Sequence, residues 1–130
     1  MKELSWIDER DALIIHDRLL ALHGGPLGVR DKTLLSSALA RPRQYLTYSS
    51  NVDIISMSAA YTAGIVGNHP FVDGNKRTGF VIGILFLELN GYRFTASEEE
   101  AAQAVLSLAA GTLDEEGFAL FLRANTVHEG

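Results

Sequence analysis

The sequence predicts a mainly α fold: one compact domain over residues 1–130, a bundle of about six helices with its site where a loop feeds a helix N-terminus. Three observations carry this expectation. Apolar residues recur at helical spacing in most segments. Capping residues open those segments and glycine or proline closes them. The connections are short, with no internal repeat, linker or low-complexity tract.

The first helix is expected from Ser5, an N-cap with Asp8 as its capping-box partner, to the stop at Gly24 and Gly25. Ile7, Ile14, Ile15, Leu19 and Leu22 give it an apolar face. Asp31 caps a second helix through Leu34, Leu35, Ala38 and Leu39, and Pro42 is expected to end it. Arg30 and Asp31 read as a local ion pair as well as a cap. "RPRQYLTYSS", residues 41–50, lacks helical periodicity and is assigned to a loop or small hairpin that would act as a flap. Asn51 is the expected cap of a third helix carrying Ile54, Ile55, Ala59 and Ile65, whose small residues permit close packing. A fourth, from Lys76 to Asn90, is apolar almost all round and suits the centre of the bundle, with Gly91 as its stop. "SEEE" at 97–100 is a capping box, and "TLDE" from Thr112 repeats the logic ahead of Phe118, Phe121 and Leu122.

Composition narrows the function. At 130 residues and 14.1 kDa the chain can bury one core but not two. A formal net charge of −5 argues against direct nucleic-acid or anionic-membrane binding and favours a protein or small-molecule partner. The longest apolar run, "GFVIGILFLEL", falls far short of the ~20 residues that span a bilayer. "MKELSWIDER" lacks the features of a secretory signal, and the absence of cysteine is compatible with a reducing cytoplasm.

Chemistry concentrates in "GNHPFVDGNKRTGF", residues 67–80. Pro70 keeps His69 out of helical dihedrals, and Gly74 relieves the backbone just before a helix begins at Asn75 or Lys76. Unpaired amides from Gly74 to about Thr78, the helix dipole, Lys76 and Arg77 together favour an anion such as a phosphate chain. Asp73 is the one carboxylate among them, a hard oxygen ligand of the kind that holds Mg²⁺ beside phosphates. Histidine is the side chain suited to act as a general base near neutral pH, and His69 stands four positions upstream of Asp73. Asn75 can orient Asp73, donate to phosphate or cap the helix. Phe71 and Val72 read as core anchors. Taken singly, a loop histidine, an Asp-Gly-Asn turn and two solvated cations are ordinary; their conjunction at a helix start is what signals a site. His16, His23 and His128 share no metal-binding spacing and are assigned to surface or packing roles.

The same residues resemble the signature of the Fic and Doc proteins, His-x-Phe-x-Asp/Glu-Gly/Ala-Asn-Gly/Lys-Arg, and the lysine points to Doc, the death-on-curing toxins. "HDRLLALHGGPLGVRDKTLLSSALARP" and "LFLELNGYRF" extend the resemblance over most of residues 13–95. It implies His69 as catalytic base, Asp73 as magnesium ligand, and Gly74, Asn75, Lys76 and Arg77 as the groups that bind nucleotide phosphates. ATP and Mg²⁺ are the implied cofactors, and elongation factor Tu, modified on a threonine, the implied target. The implied partner that restrains the toxin is an antitoxin with a disordered tail that folds on binding.

Two positions depart from typical Fic proteins. Lys76 replaces a glycine beside which a diphosphate can lie, and Phe80 replaces a second arginine. Similarity to Doc therefore implies transfer of the γ-phosphoryl group. Transfer of AMP to a protein hydroxyl, and a catalytically weak co-repressor acting with its antitoxin, are the alternatives. "TLDEEG" at 112–117 matches an inhibitory string of Fic proteins literally, but helix capping explains the same residues.

Overall fold

The computed structural model describes residues 3–49 and 52–129. Its elements follow in the order α1 (Glu9–His23), α2 (Lys32–Tyr48), α3 (Ile54–Asn68), α4 (Asn75–Leu89), β1 (Tyr92–Phe94), α5 (Glu98–Ala110), α6 (Glu115–Ala124) and β2 (Thr126–His128). The mainly helical expectation holds, with six helices among the described residues.

The caps explain where helices start. Asp31 caps α2, and Ser97 with Glu100 forms the expected capping box on α5. Helix α1 starts later than expected, because Asp8 is its N-cap and pairs reciprocally with Asp11. Ser5 is occupied elsewhere: its N–H donates to Asn90 Oδ1 and its carbonyl accepts from Asn90 Nδ2, which tacks the entering chain to the end of α4. Asn51 lies outside the described residues, and Asp53 caps α3 by accepting from Ser56 N–H. Asp114 rather than Thr112 caps α6, since the Thr112 hydroxyl donates back to Ser107 O at the end of α5.

The proposed break at Pro42 is corrected, and so is the flap over 41–50 for its described residues, 41–49, Ser50 lying outside them. Helix α2 runs through Pro42 to Tyr48, with the proline ring buried. A proline inside a helix forgoes one backbone hydrogen bond, so something else must hold the turn. Arg41 and Tyr45, one turn apart, both donate to Glu115 of α6, the tyrosine hydroxyl at 2.6 Å. That cross-link and the burial of Leu39 and Pro42 outweigh the local break. The extended structure lies elsewhere: β1 and β2 pair antiparallel, Tyr92 opposite His128 and Phe94 opposite Thr126.

Helices α3 and α4 form the wall shared by two hydrophobic clusters. One gathers Leu35, Tyr61, Phe71 and Phe86 with α1 and α2; the other gathers Val66, Leu87, Val105 and Phe118 with α5 and α6. Glycines set the spacing of that wall. A Cβ on Gly79 would stand 3.2 Å from Thr62 O, and one on Gly83 would stand 3.0 Å from Ser58 O. At that separation the Thr62 hydroxyl donates to Gly79 O and the Ser58 hydroxyl to Gly83 O, each at 2.8 Å, which satisfies two buried side chains.

Gly83→Ala gains about 1 kcal/mol of helix propensity but overpacks this contact, at a typical cost of about 1–3 kcal/mol, and displaces a buried hydroxyl bond of about 1 kcal/mol. We expect a net loss of about 1–3 kcal/mol, read as a lower denaturant midpoint at unchanged slope.

Asp53 also pairs with Arg123 of α6, Nη1 to Oδ2 at 2.9 Å. Burial, the largest single influence, raises its pKa, yet the hydrogen bonds from Arg123 and Ser56 together outweigh it and hold the carboxyl below its ordinary 3.8. A depressed folded-state pKa gives stability that is present above the unfolded value and lost as pH falls through the folded one. Asp53→Asn keeps a capping side chain and should flatten the acid limb of the stability curve below about pH 4, measured by urea unfolding at each pH.

Candidate active site

The loop from His69 to Gly74 bridges the C-terminus of α3 and the N-terminus of α4. His69 is the C-cap of α3 in the left-handed region, φ 51° and ψ 54°, the single non-glycine residue with positive φ among those described. Such a conformation costs about 1–3 kcal/mol and persists where surroundings enforce it. Arg30 supplies that enforcement. Its Nε donates to His69 O at 2.7 Å and its Nη2 to Asn68 O at 2.9 Å, placing a cation on the negative end of α3. Backbone N–H groups of Arg30 and Asp31 both donate to Pro70 O, Val72 N–H donates to Gly28 O, and Val29 bridges Phe71. The expected Arg30–Asp31 ion pair is not formed among the described residues, because Arg30 turns to the loop while Asp31 caps α2.

Phe71 is a core residue as expected, whereas Val72 is 52% exposed and lines the cleft instead of the core. The alternation of a bridged extended segment sends these neighbours to opposite sides. Asn75 is buried, and its side chain staples the loop: Oδ1 accepts from Phe71 N–H and Nδ2 donates to Phe71 O, both at 3.0 Å. One Nδ2–H and one Oδ1 lone pair are thereby committed to the loop.

Helix α4 starts without a side-chain cap, behind Gly74 at φ 80°. Gly74 N–H donates to Asp73 Oδ1 and Thr78 N–H to Gly74 O, so the open amides are those of Asn75, Lys76 and Arg77 rather than the longer run expected. Lys76 and Arg77 are exposed and enter no ion pair among the described residues. His69, Asp73, Gly74, Asn75, Lys76 and Arg77 all line one cleft of about 520 Å³. The structure thus brings every candidate site residue to a single concavity.

The far wall of the cleft went unforeseen. It is apolar and comes from α5, through Ala101, Ala102, Val105 and Leu106, with Phe80 beside them and Glu98 the one acid. The capping box at 97–100 locates the start of α5, but which surface its apolar residues would face is a tertiary property. Phe80 stands edge-on to Phe94 at 5.7 Å, which fixes the ring at this wall.

Asp73 fits a magnesium ion carried by a phosphate chain. Its carboxylate is exposed to the cleft next to open amides and two cations. No cluster of three metal-ligating side chains occurs among the described residues, so an ion here would take most of its oxygen ligands from outside the chain, as Mg²⁺ usually does.

The family model described as Fic/DOC family matches residues 6–87. The chain belongs to the Fic/Doc family. It is similar to the protein kinase doc of Escherichia phage P1, with 28% identity over 117 residues, 90% of this chain and 92% of that one. It is also similar to the toxin Doc of Mycolicibacterium smegmatis, 40% identical over 75 residues that cover 56% of this chain and 57% of the relative. Against the Fic/Doc background, "TLDEEG" is a helix start: Asp114 caps α6, Glu115 binds Arg41, and Glu116 is exposed on a helix that does not line the cleft. No helix of the described residues is long and apolar enough to cross a membrane.

Asn75→Ala removes two hydrogen bonds and leaves both polar groups of Phe71 unpaired in a buried setting. The expected cost is about 2–4 kcal/mol in equilibrium unfolding.

Proposed function

We propose that this chain is the toxin of a type II toxin–antitoxin pair, a Doc-like protein kinase that transfers the γ-phosphoryl group of ATP to a threonine hydroxyl. The observation that carries the reading is the uncapped start of α4, with Lys76 and Arg77 exposed on it, sharing a cleft with His69 and Asp73. Amides, ammonium and guanidinium are complementary to a phosphate chain. Lys76 crowds the pose in which a diphosphate lies against a bare glycine, and Phe80 offers no second cation, which together favour the nucleotide orientation that presents the γ-phosphoryl to the acceptor. Similarity to a relative named as a protein kinase supports the same choice.

In this mechanism His69 takes the proton of the threonine hydroxyl as its oxygen bonds to the γ-phosphorus and the bond to the bridging oxygen of ADP breaks. The three amides, Lys76 and Arg77 hold the phosphates in line, so most of the catalysis is positioning and charge stabilisation. Asp73 would hold Mg²⁺, which supplies neutralisation of charge on the phosphate oxygens. Elongation factor Tu is the proposed acceptor, with arrest of translation in the cytoplasm as the outcome. A cognate antitoxin with a disordered tail is the proposed restraint.

His69→Ala should leave the melting curve intact and lower transfer by about 10²–10⁴. The decisive assay incubates the protein with elongation factor Tu and ATP labelled at either the α or the γ phosphorus. Label from γ alone, added as ~80 Da, supports the kinase; label from α, added as ~329 Da, reassigns the enzyme to AMP transfer, as in the phosphate-versus-nucleotide distinction made by the leaving group. Undiminished transfer by His69→Ala would remove the histidine from its role.

A further inference from the structure

Helix α1 contributes nothing to the mechanism above, yet it and the connector behind it form the seat on which Asp73 rests. His16 is 1% exposed, and its ring stacks on Phe71 with centroids 3.8 Å apart and planes inclined by 8°. Its Nε2 lies 2.8 Å from Asp73 O. A carbonyl oxygen only accepts, so Nε2 is the donor. One buried side chain therefore fixes the aromatic two positions before Asp73 and the peptide group of Asp73 itself.

The carboxylate end is held too. A Cβ on Gly25 would stand 2.6 Å from Asp73 Oδ2, so this oxygen lies against the bare backbone of the connector. The other oxygen accepts from Gly74 N–H at 2.9 Å. Gly74 sits on the same seat, since a Cβ there would meet Leu20 Cδ2 at 3.4 Å and His16 Nε2 at 3.7 Å. Backbone donor, neighbouring glycine and buried imidazole thus constrain Asp73 from three directions.

We propose that His16 and Gly25 are positioning residues for Asp73: His16 fixes its peptide, and Gly25 leaves the room its carboxylate needs to face the divalent cation of a nucleotide complex. The inference rests on Asp73 being the magnesium ligand. Groups that orient a metal ligand typically account for about 10–100-fold in metal affinity.

The test measures Mn²⁺ by electron paramagnetic resonance, with a non-hydrolysable ATP analogue and no acceptor protein present. His16→Phe keeps the stack on Phe71 but has no donor, and should weaken Mn²⁺ binding about tenfold or more. Binding of the analogue in chelator should stay at the wild-type level. His16→Gln restores a donor at the reach of Nε2 and should return affinity to within about threefold of wild type, short of the full outer-shell effect. Gly25→Ala probes the same seat from the connector, its methyl meeting Asp73 Oδ2 at 2.6 Å and Leu20 Cδ2 at 3.3 Å, and should also weaken Mn²⁺; it carries the test if His16→Phe does not fold. Folded His16→Phe with wild-type Mn²⁺ affinity, or His16→Gln as weak as His16→Phe, overturns the role of His16; wild-type affinity in Gly25→Ala overturns that of Gly25. Asp73→Ala separates the two levels. If it too binds Mn²⁺ normally, the metal-ligand reading of Asp73 fails; if it alone loses binding, only the seat fails.

Discussion

The close contact of α3 with α4 is the constraint on which the site depends. Two glycines on α4 let its backbone approach Thr62 and Ser58 of α3, and the hydroxyls of those residues lock the register. A loop of only six residues, His69 to Gly74, then joins the end of one helix to the start of the next. With both ends fixed, the loop has few conformations open to it, and the left-handed histidine, the bridged Phe71 and the glycine before α4 are how it closes the gap. The negative end of α3 and the positive end of α4 come side by side as a result. Arg30 answers the first, and the second is left open to the cleft.

That division explains how an acidic protein presents a cationic site. The net charge of −5 is spread over the chain, with four of its 16 acids used as helix caps: Asp8, Asp31, Asp53 and Asp114 each accept a backbone N–H at a helix start. Helix α4 differs because glycine occupies its cap position while its first turn carries both Lys76 and Arg77. The local field at this one helix start therefore opposes that of the whole molecule, and an anionic ligand meets attraction mainly within reach of the cleft, about a Debye length at physiological salt.

Much of this was legible in the chain itself. The six helices, the caps at Asp31 and Ser97, the small residues of α3 and the cluster of 69–77 follow from local chemistry, because caps, breakers and dipoles act within a turn or two. Two cap positions were misplaced by two or three residues, Asp8 for Ser5 and Asp114 for Thr112, and the larger misses share the opposite property. Helix α2 runs through Pro42 because Glu115, 74 and 70 positions away, binds Arg41 and Tyr45. The strands pair residues 92–94 with 126–128, at a separation no hairpin signal reports. His16 read as a packing residue, and it is one, but nothing in its spacing shows that the backbone it holds belongs to Asp73. The Asn75 side chain had three readings open, and only the folded loop selects the staple to Phe71.

Beside the local staple of Asn75 on Phe71, two bonds that shape the loop join partners far apart in sequence, Arg30 with His69 at a separation of 39 and His16 with Asp73 at 57. Closing such spans costs chain entropy before any contact rewards it. Helices can form early and locally, but the arrangement of imidazole, carboxylate and open amides has no meaning until α1 and its connector have docked on the α3–α4 pair. Competence is thus a property of the finished molecule, and a chain that has collapsed without that docking carries all the residues of the motif and none of its geometry.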